Sequence, residues 1–211
     1  MRIIAGEFKG RRLKSPATQE TRPTSDRLRE TLFNVISARV ANANFLDLCA
    51  GSGAVGIEAV SRGASHATFI DSSRKMCELI KSNVSLCQIA SDQFSLVTSE
   101  ALTFLRKASK RSDNPWNIVF YDPPYADNYA PVLSALAENA ASLLTSDALV
   151  VVEHHHKTDL PEEVGALSRY RVLKQGESAL SFYEFDWRLT HSREAKPRIF
   201  SHPFDHRDGF S

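Results

Sequence analysis

The alternation of apolar and polar residues predicts a regular succession of strands and helices over the central part of the chain. An amphipathic helix over 25–40 comes first, and from residue 45 onwards short apolar runs alternate with helical segments. The predicted strands cover 45–50, 67–71, 94–98, 116–121 and 147–152, and the predicted helices cover 53–62, 73–86, 100–109 and 129–142. Strict alternation is typical of a parallel sheet covered by helices on both faces.

The two ends of the chain do not follow this alternation. Runs rich in β-formers at 170–175 and 180–187 have no helix between them, which predicts a hairpin that makes one edge of the sheet antiparallel. Short apolar pairs around glycines over 2–14 predict small strands and turns. We therefore expect three regions: a hairpin and helix appendage over 1–40, a mostly parallel seven-stranded α/β domain over 41–187, and a loosely ordered tail over 188–211.

Composition is that of a globular protein with one main domain. The 211 residues are 42% hydrophobic and 24% charged, and no apolar stretch has the length that a membrane helix needs. The amino terminus lacks the long apolar segment of a signal peptide. Three cysteines without a C-x-x-C pair favour a reducing compartment over a disulfide framework. These features predict a cytoplasmic protein.

Charge becomes informative when it is divided along the chain. The total is +1, but residues 1–40 carry +5, residues 41–186 carry −6 and residues 187–211 carry +2. A basic arm on an acidic domain is typical of a protein that meets a polyanion through its appendage, and Arg11 and Arg12 are the candidate contacts. A solvated basic hairpin without any partner is the alternative.

A glycine-rich turn joins the first central strand to the helix that follows it. Gly51, Gly53 and Gly56 satisfy G-x-G-x-x-G, and Ser52 lies between the first two. Such glycines allow a tight turn, the close approach of a ligand to the backbone, and close packing of the helix against the sheet. The motif indicates a site for a nucleotide-like cofactor.

Acidic residues specify which nucleotide fits. Asp71 ends the second strand, 20 residues after Gly51, where a carboxylate can accept hydrogen bonds from ribose hydroxyls, and Ser72 follows it. Asp47 lies just before the turn, where it would repel a pyrophosphate and attract a cation. S-adenosylmethionine carries an ammonium and a sulfonium and no phosphate. The sequence therefore favours this methyl donor over NAD.

The residues after the third strand are candidates for the adenine of the cofactor. Glu100 and Ala101 follow that strand, and either the Glu100 side chain or nearby backbone could meet the adenine amino group. A glutamate favoured by the dipole at a helix start is the alternative explanation.

A candidate chemical site follows the fourth strand as Asp122-Pro123-Pro124-Tyr125. An acid and two prolines do not continue a strand, and ligands of open α/β sheets bind at this edge. The Asp122 carboxylate and the Pro123 carbonyl can accept both N–H bonds of an exocyclic amine and turn its lone pair towards a methyl group. Tyr125 can stack on the base.

These two motifs resemble those of class I (Rossmann-like) S-adenosylmethionine-dependent methyltransferases that act on planar amines. The stretch RPTSDRLRETLFN over 22–34 is similar to the RsmD family, the 16S rRNA (guanine(966)-N(2))-methyltransferases. The match runs from MRIIAG at the start to SALSFYEF in the predicted hairpin. By this resemblance Asp47, Gly51, Gly53 and Asp71 bind the cofactor.

The resemblance also implies a substrate. It implies that Asp122 to Tyr125 hold the amine of a guanine in 16S rRNA within an assembled small ribosomal subunit, and that Arg22, Thr24 and Arg27 lie near the entrance to the pocket. Neither a metal nor a membrane is implied, and we expect a monomer. Tyr125 stands where this family often has phenylalanine, a change that retains stacking.

Three other functions share part of the pattern. A D/N-P-P-Y motif also serves DNA adenine-N6 and protein glutamine methyltransferases, although the basic arm favours RNA. A nicotinamide-dependent oxidoreductase would explain the glycine turn but not Asp122–Tyr125, and a noncatalytic RNA-binding module remains a further alternative. The histidine run 154–156 invites a metal site, but adjacent histidines in a strand point in alternating directions, and we expect a surface strand end.

Overall fold

A computed structural model describes residues 1–16, 25–110, 114–186 and 188, which build one mixed sheet with helices on both faces. The helices are α1 (Asp26–Val40), α2 (Ala54–Ser61), α3 (Arg74–Cys87), α4 (Ala101–Ala108), α5 (Ala130–Glu138) and α6 (Ala140–Leu143). The strands are β1 (Asn44–Leu48), β2 (His66–Asp71), β3 (Phe94–Thr98), β4 (Trp116–Tyr121), β5 (Leu144–His155), β6 (Glu163–Val164), β7 (Leu167–Gln175) and β8 (Ser178–Phe185). No helix in these ranges is long and apolar enough to cross a membrane.

The strand order β3-β2-β1-β4-β5-β8-β7-β6 sets the position of the site. Strands β1 to β5 are parallel to one another, and β8, β7 and β6 add antiparallel pairs beyond β5. The order reverses between β1 and β4, so a crevice opens where their carboxyl ends meet. This confirms the predicted fold class. The seven predicted strands are joined by an eighth, the two-residue β6.

Two apolar layers enclose the sheet. On one face, α1 packs on β4, β5 and β8 through a cluster that includes Phe33, Phe120 and Phe182. On the other face, α5 packs through Leu133 and Leu136. Alternate residues of β4 and β5 therefore enter alternate layers, which fixes the direction of each side chain at the crevice.

The amino-terminal segment is bound tightly to α2. The buried Glu58 carboxylate accepts the backbone N–H groups of Ile4 and Ala5, at 2.8 and 3.0 Å, and Ser61 accepts that of Phe8 at 2.9 Å. Ile3, Phe8 and Leu13 are buried against the domain. The strands expected over 2–14 are reduced to a single bridge between Arg2 and Arg12. The appendage thus forms part of the domain's packed surface.

The helix predicted over 129–142 is interrupted. α5 ends at Glu138 and α6 begins at Ala140, because the side-chain amide of Asn139 donates to the carbonyl oxygen of Ala135 at 2.8 Å. Short amide side chains compete in this way with the helical hydrogen bonds. The tail over 189–211 lies outside the described residues, so its predicted looseness stays a prediction.

Candidate active and cofactor site

The glycine turn is fastened to the end of β2 by Asp71. The carboxylate of Asp71 accepts the backbone N–H of Gly51 at 2.8 Å through one oxygen and that of Ser73 at 2.8 Å through the other. Gly51 has a φ of +56° and faces open space, since a Cβ built there meets no described residue within 4 Å. The turn therefore presents bare backbone at the crevice, beside a carboxylate with unused lone pairs.

The third glycine of the motif serves packing. A Cβ at Gly56 would lie 2.3 Å from Cε1 of Phe69, so α2 rests on β2 at a distance that only glycine permits. This close contact confirms the use predicted for Gly56. Gly53, at a φ of +77°, precedes the first helical residue and faces Ile80.

Asp47 lies at the floor of the crevice. Its side chain is buried, and one oxygen accepts the backbone N–H of Gly56 at 2.9 Å. Burial raises the pKa of Asp47 to about 7, with a smaller contribution from the Asp71 charge, while the bond from Gly56 opposes the rise. A cationic ligand would favour the ionised form of this carboxyl group.

Cys49 marks the centre of an acidic region. Burial, followed by the charges of Asp71, Asp122, Asp47 and Asp127, raises the pKa of its thiol to about 12. Asp47 belongs to β1, Asp71 ends β2, and Asp122 and Asp127 lie between β4 and α5, so acidic residues from three parts of the chain act on one side chain. Cys49 is half-buried at a φ of +63°, in the turn itself. A region of this charge favours a cation over a pyrophosphate.

The motif after β4 meets the glycine turn at the switch point. The backbone N–H of Asp122 donates to the carbonyl oxygen of Leu48 at 3.3 Å, so β4 and β1 stay joined to the edge of the crevice. Asp122 is half-buried, Pro123 is buried, and Pro124 is exposed. The two predicted motifs, far apart in sequence, are thus neighbours in the fold.

Tyr125 is held over the crevice by the edge hairpin. It is 38% exposed, and its hydroxyl shares a hydrogen bond of 2.6 Å with Ser178 Oγ. The His155 ring lies edge-on to the Tyr125 ring, with centroids 5.6 Å apart. Because His155 and Ser178 are paired across β5 and β8, both anchors belong to rigid structure. The aromatic face is therefore accessible and fixed.

Tyr129 is a buried tyrosine that sequence reasoning did not identify, and its ring packs edge-on against those of Tyr121 and His154. Its hydroxyl has no hydrogen-bond partner among the described residues. Burial, then the charges of Asp122, Tyr125 and Glu153, raises the pKa of the phenol above its usual range. The phenol therefore stays neutral, and no sequence signal set it apart from an ordinary core tyrosine.

The histidine run does not form the surface strand end that we expected. His154 is 2% exposed, and its ring nitrogens contact the backbone oxygen of His155 at 3.0 Å and Ser181 Oγ at 2.9 Å. Burial lowers the pKa of His154. The side chains stop pointing in alternating directions where β5 ends at His155, since the rings of His155 and His156 lie side by side with centroids 4.5 Å apart.

The remaining predicted cofactor residues lie around the turn. Ser52 is buried, and its hydroxyl donates to Met1 Sδ at 3.5 Å. Ser72 is exposed next to Asp71. Glu100 is exposed at the start of α4, where it makes no side-chain cap bond to the described helix, and Ala101 is buried. Glu100 directly precedes the first helical residue of α4, so its position also fits the alternative of a glutamate favoured by the helix dipole, which requires no hydrogen bond.

The basic residues expected to meet RNA differ in their contacts with the rest of the protein. The Arg11 guanidinium donates to the Leu86 carbonyl at the end of α3 and lies over the Phe8 ring, whereas Arg12 is exposed. Arg27 lines a cavity of about 380 Å³ beside α1, together with Arg2, Ile3, Ile4, Lys9, Gly10, Asp26 and Glu30. Arg22 and Thr24 lie outside the described residues.

Comparison with known proteins identifies the group to which this architecture belongs. The family model described as conserved hypothetical protein 95 matches residues 1–184. The chain is 36% identical over 184 residues to ribosomal RNA small subunit methyltransferase D of Escherichia coli strain K12, covering 87% of this chain and 89% of that protein. It is also 36% identical over 184 residues to the putative rRNA methyltransferase YlbH of Bacillus subtilis strain 168, covering 87% and 98%.

A solved structure supports the same grouping. The putative methyltransferase yhhF from Escherichia coli superposes with a TM-score of 0.76 at 35% identity, covering 88% of this chain and 98% of that chain. More distant methyltransferase structures, at 12 to 15% identity, share the fold alone. The chain belongs to the conserved hypothetical protein 95 family, which is the RsmD family.

Proposed function

We propose that this protein is an S-adenosylmethionine-dependent methyltransferase that modifies the exocyclic N2 amine of a guanine in 16S rRNA of the small ribosomal subunit. The hydrogen bond between Asp122 and Leu48 carries the proposal, because it brings the amine-binding motif to the edge of the glycine turn. A cofactor and a planar amine can therefore meet at one crevice. Membership of the RsmD family supports the choice of rRNA.

The residues at the turn fit this cofactor. Open space beside Gly51 leaves room for a ligand against the backbone, and the Asp71 carboxylate retains lone pairs for ribose hydroxyls. Asp47 and its acidic neighbours favour a positively charged ligand. When bound, S-adenosylmethionine supplies a methyl group already activated by its sulfonium. We assign the adenine to Glu100 and to the backbone at Ala101, at the start of α4.

Asp122 and Pro123 orient the amine. The amine of guanine is a poor nucleophile because its lone pair is delocalised into the ring. The Asp122 carboxylate and the Pro123 carbonyl accept its two N–H bonds, which directs the lone pair out of the ring plane. Tyr125, anchored by Ser178, stacks on the ring. Rate comes mostly from this orientation, and the amine loses its proton after transfer.

RNA reaches the crevice along the basic arm. Arg12 is exposed on the amino-terminal segment, Arg27 lies on α1, and Arg22 and Thr24 join them in this role. Lys and Arg side chains bind phosphates independently of sequence. We assign the protein to the cytoplasm, as a monomer whose partner is the small subunit and which requires no metal.

A methyl-transfer assay tests the proposal. Small ribosomal subunits are incubated with S-adenosylmethionine labelled in its methyl group, and the labelled nucleotide is mapped after digestion of the 16S rRNA. We expect label on the N2 atom of one guanine. DNA and protein are tested as acceptors in parallel, and label on DNA adenine or on protein glutamine would identify a different substrate. An absence of transfer to RNA, DNA and protein alike would overturn the enzymatic assignment.

A further inference from the structure

One acidic side chain at the crevice has no role in the proposed function. Glu153 belongs to β5, where it is only 4% exposed. Glutamate is seldom buried to this extent in a sheet, since a desolvated carboxylate requires strong donors around it. Its place near the carboxyl end of a central strand is where ligands of such sheets bind.

The register places Glu153 beside Asp122. Tyr121 of β4 pairs with Val152 of β5, so the next residue of each strand is Asp122 and Glu153, respectively. Neighbouring parallel strands lie about 4.8 Å apart. The two carboxyl groups therefore extend from adjacent strands at the same level of the crevice.

Both side chains also lie on one face of the sheet. Phe120 and Val151 enter the layer beneath α1, whereas Tyr121 and Val152 enter the layer beneath α5. Because side chains alternate along a strand, Glu153 shares the face of Val151. The backbone N–H of Asp122 continues the pairing of β4 with β1 through Leu48, and continuing the alternation by this one residue puts Asp122 on the face of Phe120. The crevice thus carries a pair of acceptors on its α1 side.

The aromatic platform completes this arrangement. Tyr125 is anchored at His155 and Ser178, and His155 lies two residues beyond Glu153 on the same strand. Asp122 and Glu153 on adjacent strands and the ring of Tyr125 accordingly lie at the same end of the sheet. Two carboxyl groups and an aromatic face at one end of the sheet suit a planar base with several N–H donors along one edge.

Guanine has such an edge, because its N1–H lies next to its N2 amine. Adenine and cytosine have an unprotonated ring nitrogen next to the amine, which would face a carboxylate lone pair. We propose that Glu153 is a specificity-determining residue, whose carboxylate accepts the N1–H of the target guanine while Asp122 accepts from the N2 amine. This inference rests on the proposed function and names the group that selects guanine among amine-bearing bases.

A base analogue and a conservative variant test this role together. Small subunits are reconstituted with 16S rRNA that carries guanine or 2-aminopurine at the mapped nucleotide. 2-Aminopurine keeps the amine but has an acceptor in place of N1–H. We expect the wild type to favour guanine in kcat/KM by on the order of 10- to 100-fold, the range for one hydrogen bond to a charged group.

Glu153→Gln should remove this preference. The amide can donate to the ring nitrogen of 2-aminopurine, so the ratio should fall to about 1 while the affinity for S-adenosylhomocysteine stays unchanged. Glu163→Gln, at an exposed position of β6, is the matched control and should keep the wild-type ratio. Glu153→Asp is a second variant that retains the charge. Its preference for guanine over 2-aminopurine should lie between those of the wild type and Glu153→Gln.

Two failures are distinguishable. An unchanged ratio in Glu153→Gln, even with a lower melting temperature, would assign Glu153 a structural role and overturn the inference alone. Wild-type protein that transfers no methyl group to guanine subunits would instead overturn the proposed function.

Discussion

The carboxylate of Asp71 accepts a hydrogen bond from the backbone N–H of Gly51 at 2.8 Å, across 20 residues of sequence. The acid predicted to hold the cofactor's ribose therefore also fixes the glycine turn. A substitution of Asp71 should accordingly affect both cofactor binding and the conformation of the glycine turn.

Asp71→Asn should lower cofactor affinity by at least about tenfold, because an amide has one acceptor oxygen for two backbone donors, Gly51 and Ser73, and leaves none well placed for ribose. Isothermal titration with S-adenosylhomocysteine measures the change. Asp92→Asn, at an exposed position, is the control. Equal affinities in the two variants would remove Asp71 from the cofactor site.

Asp47 should make cofactor binding depend on pH. Its pKa of about 7 in the folded protein exceeds the ordinary value of 3.8, so the free protein holds a proton there at lower pH. A cation favours the ionised form, so binding should release this proton and affinity should rise between about pH 5 and 7, then level off. Titration calorimetry in buffers of different ionisation enthalpy counts the released protons.

The stability of the cofactor-free protein should fall over the pH range in which cofactor affinity rises. The folded state binds more protons than the unfolded chain between pH 3.8 and about 7, so Asp47 lowers the free energy of unfolding as pH rises through this window. Asp47→Asn keeps an acceptor for Gly56 and should raise the melting temperature at about pH 8 but not at about pH 4. It should also make cofactor affinity lower and independent of pH. A pH-dependent affinity in this variant would contradict the assignment.

Gly56→Ala should destabilise the fold by about 1–3 kcal/mol, because its Cβ would lie 2.3 Å from the Phe69 ring. Urea unfolding measures the decrease. Phe69→Leu provides space, so the double variant should cost less than the sum of the single variants. Strictly additive effects would show that α2 shifts to accommodate the methyl group instead.

The Gly56 contact illustrates what the sequence reveals. The glycine spacing predicts close packing of a helix on a strand because only a residue without a side chain fits at such a contact. The alternation of short apolar runs with helical segments predicts strands because those runs must be buried in the sheet. Register across the sheet has no such local signature. Glu153 interrupts an apolar strand, which was a usable signal, but its position beside Asp122 follows from the pairing of Tyr121 with Val152. The burial of His154 was missed for the same reason, since its partner Ser181 lies on β8.

Asp122→Ala should reduce kcat for methyl transfer by about 100-fold or more, because the amine loses the acceptor that orients it. Asp122→Asn retains one acceptor oxygen and should lose less. Both variants should bind S-adenosylhomocysteine as the wild type does, since the carboxylate acts on the amine. Loss of binding together with activity would move Asp122 to the cofactor site.

Arg12→Glu should weaken binding to small-subunit RNA and make its salt dependence shallower, by about one unit in the slope of log K against log salt for each phosphate that the arm no longer binds. Arg12 is the clean test because its side chain is exposed, whereas Arg11 also donates to the Leu86 carbonyl at the end of α3. Arg11→Glu should therefore lower the melting temperature as well. Lys110→Glu makes the same change of charge at an exposed position just after α4 and should leave the slope unchanged. Equal slopes for Arg12→Glu and Lys110→Glu would show that RNA approaches the crevice by a path that avoids the arm.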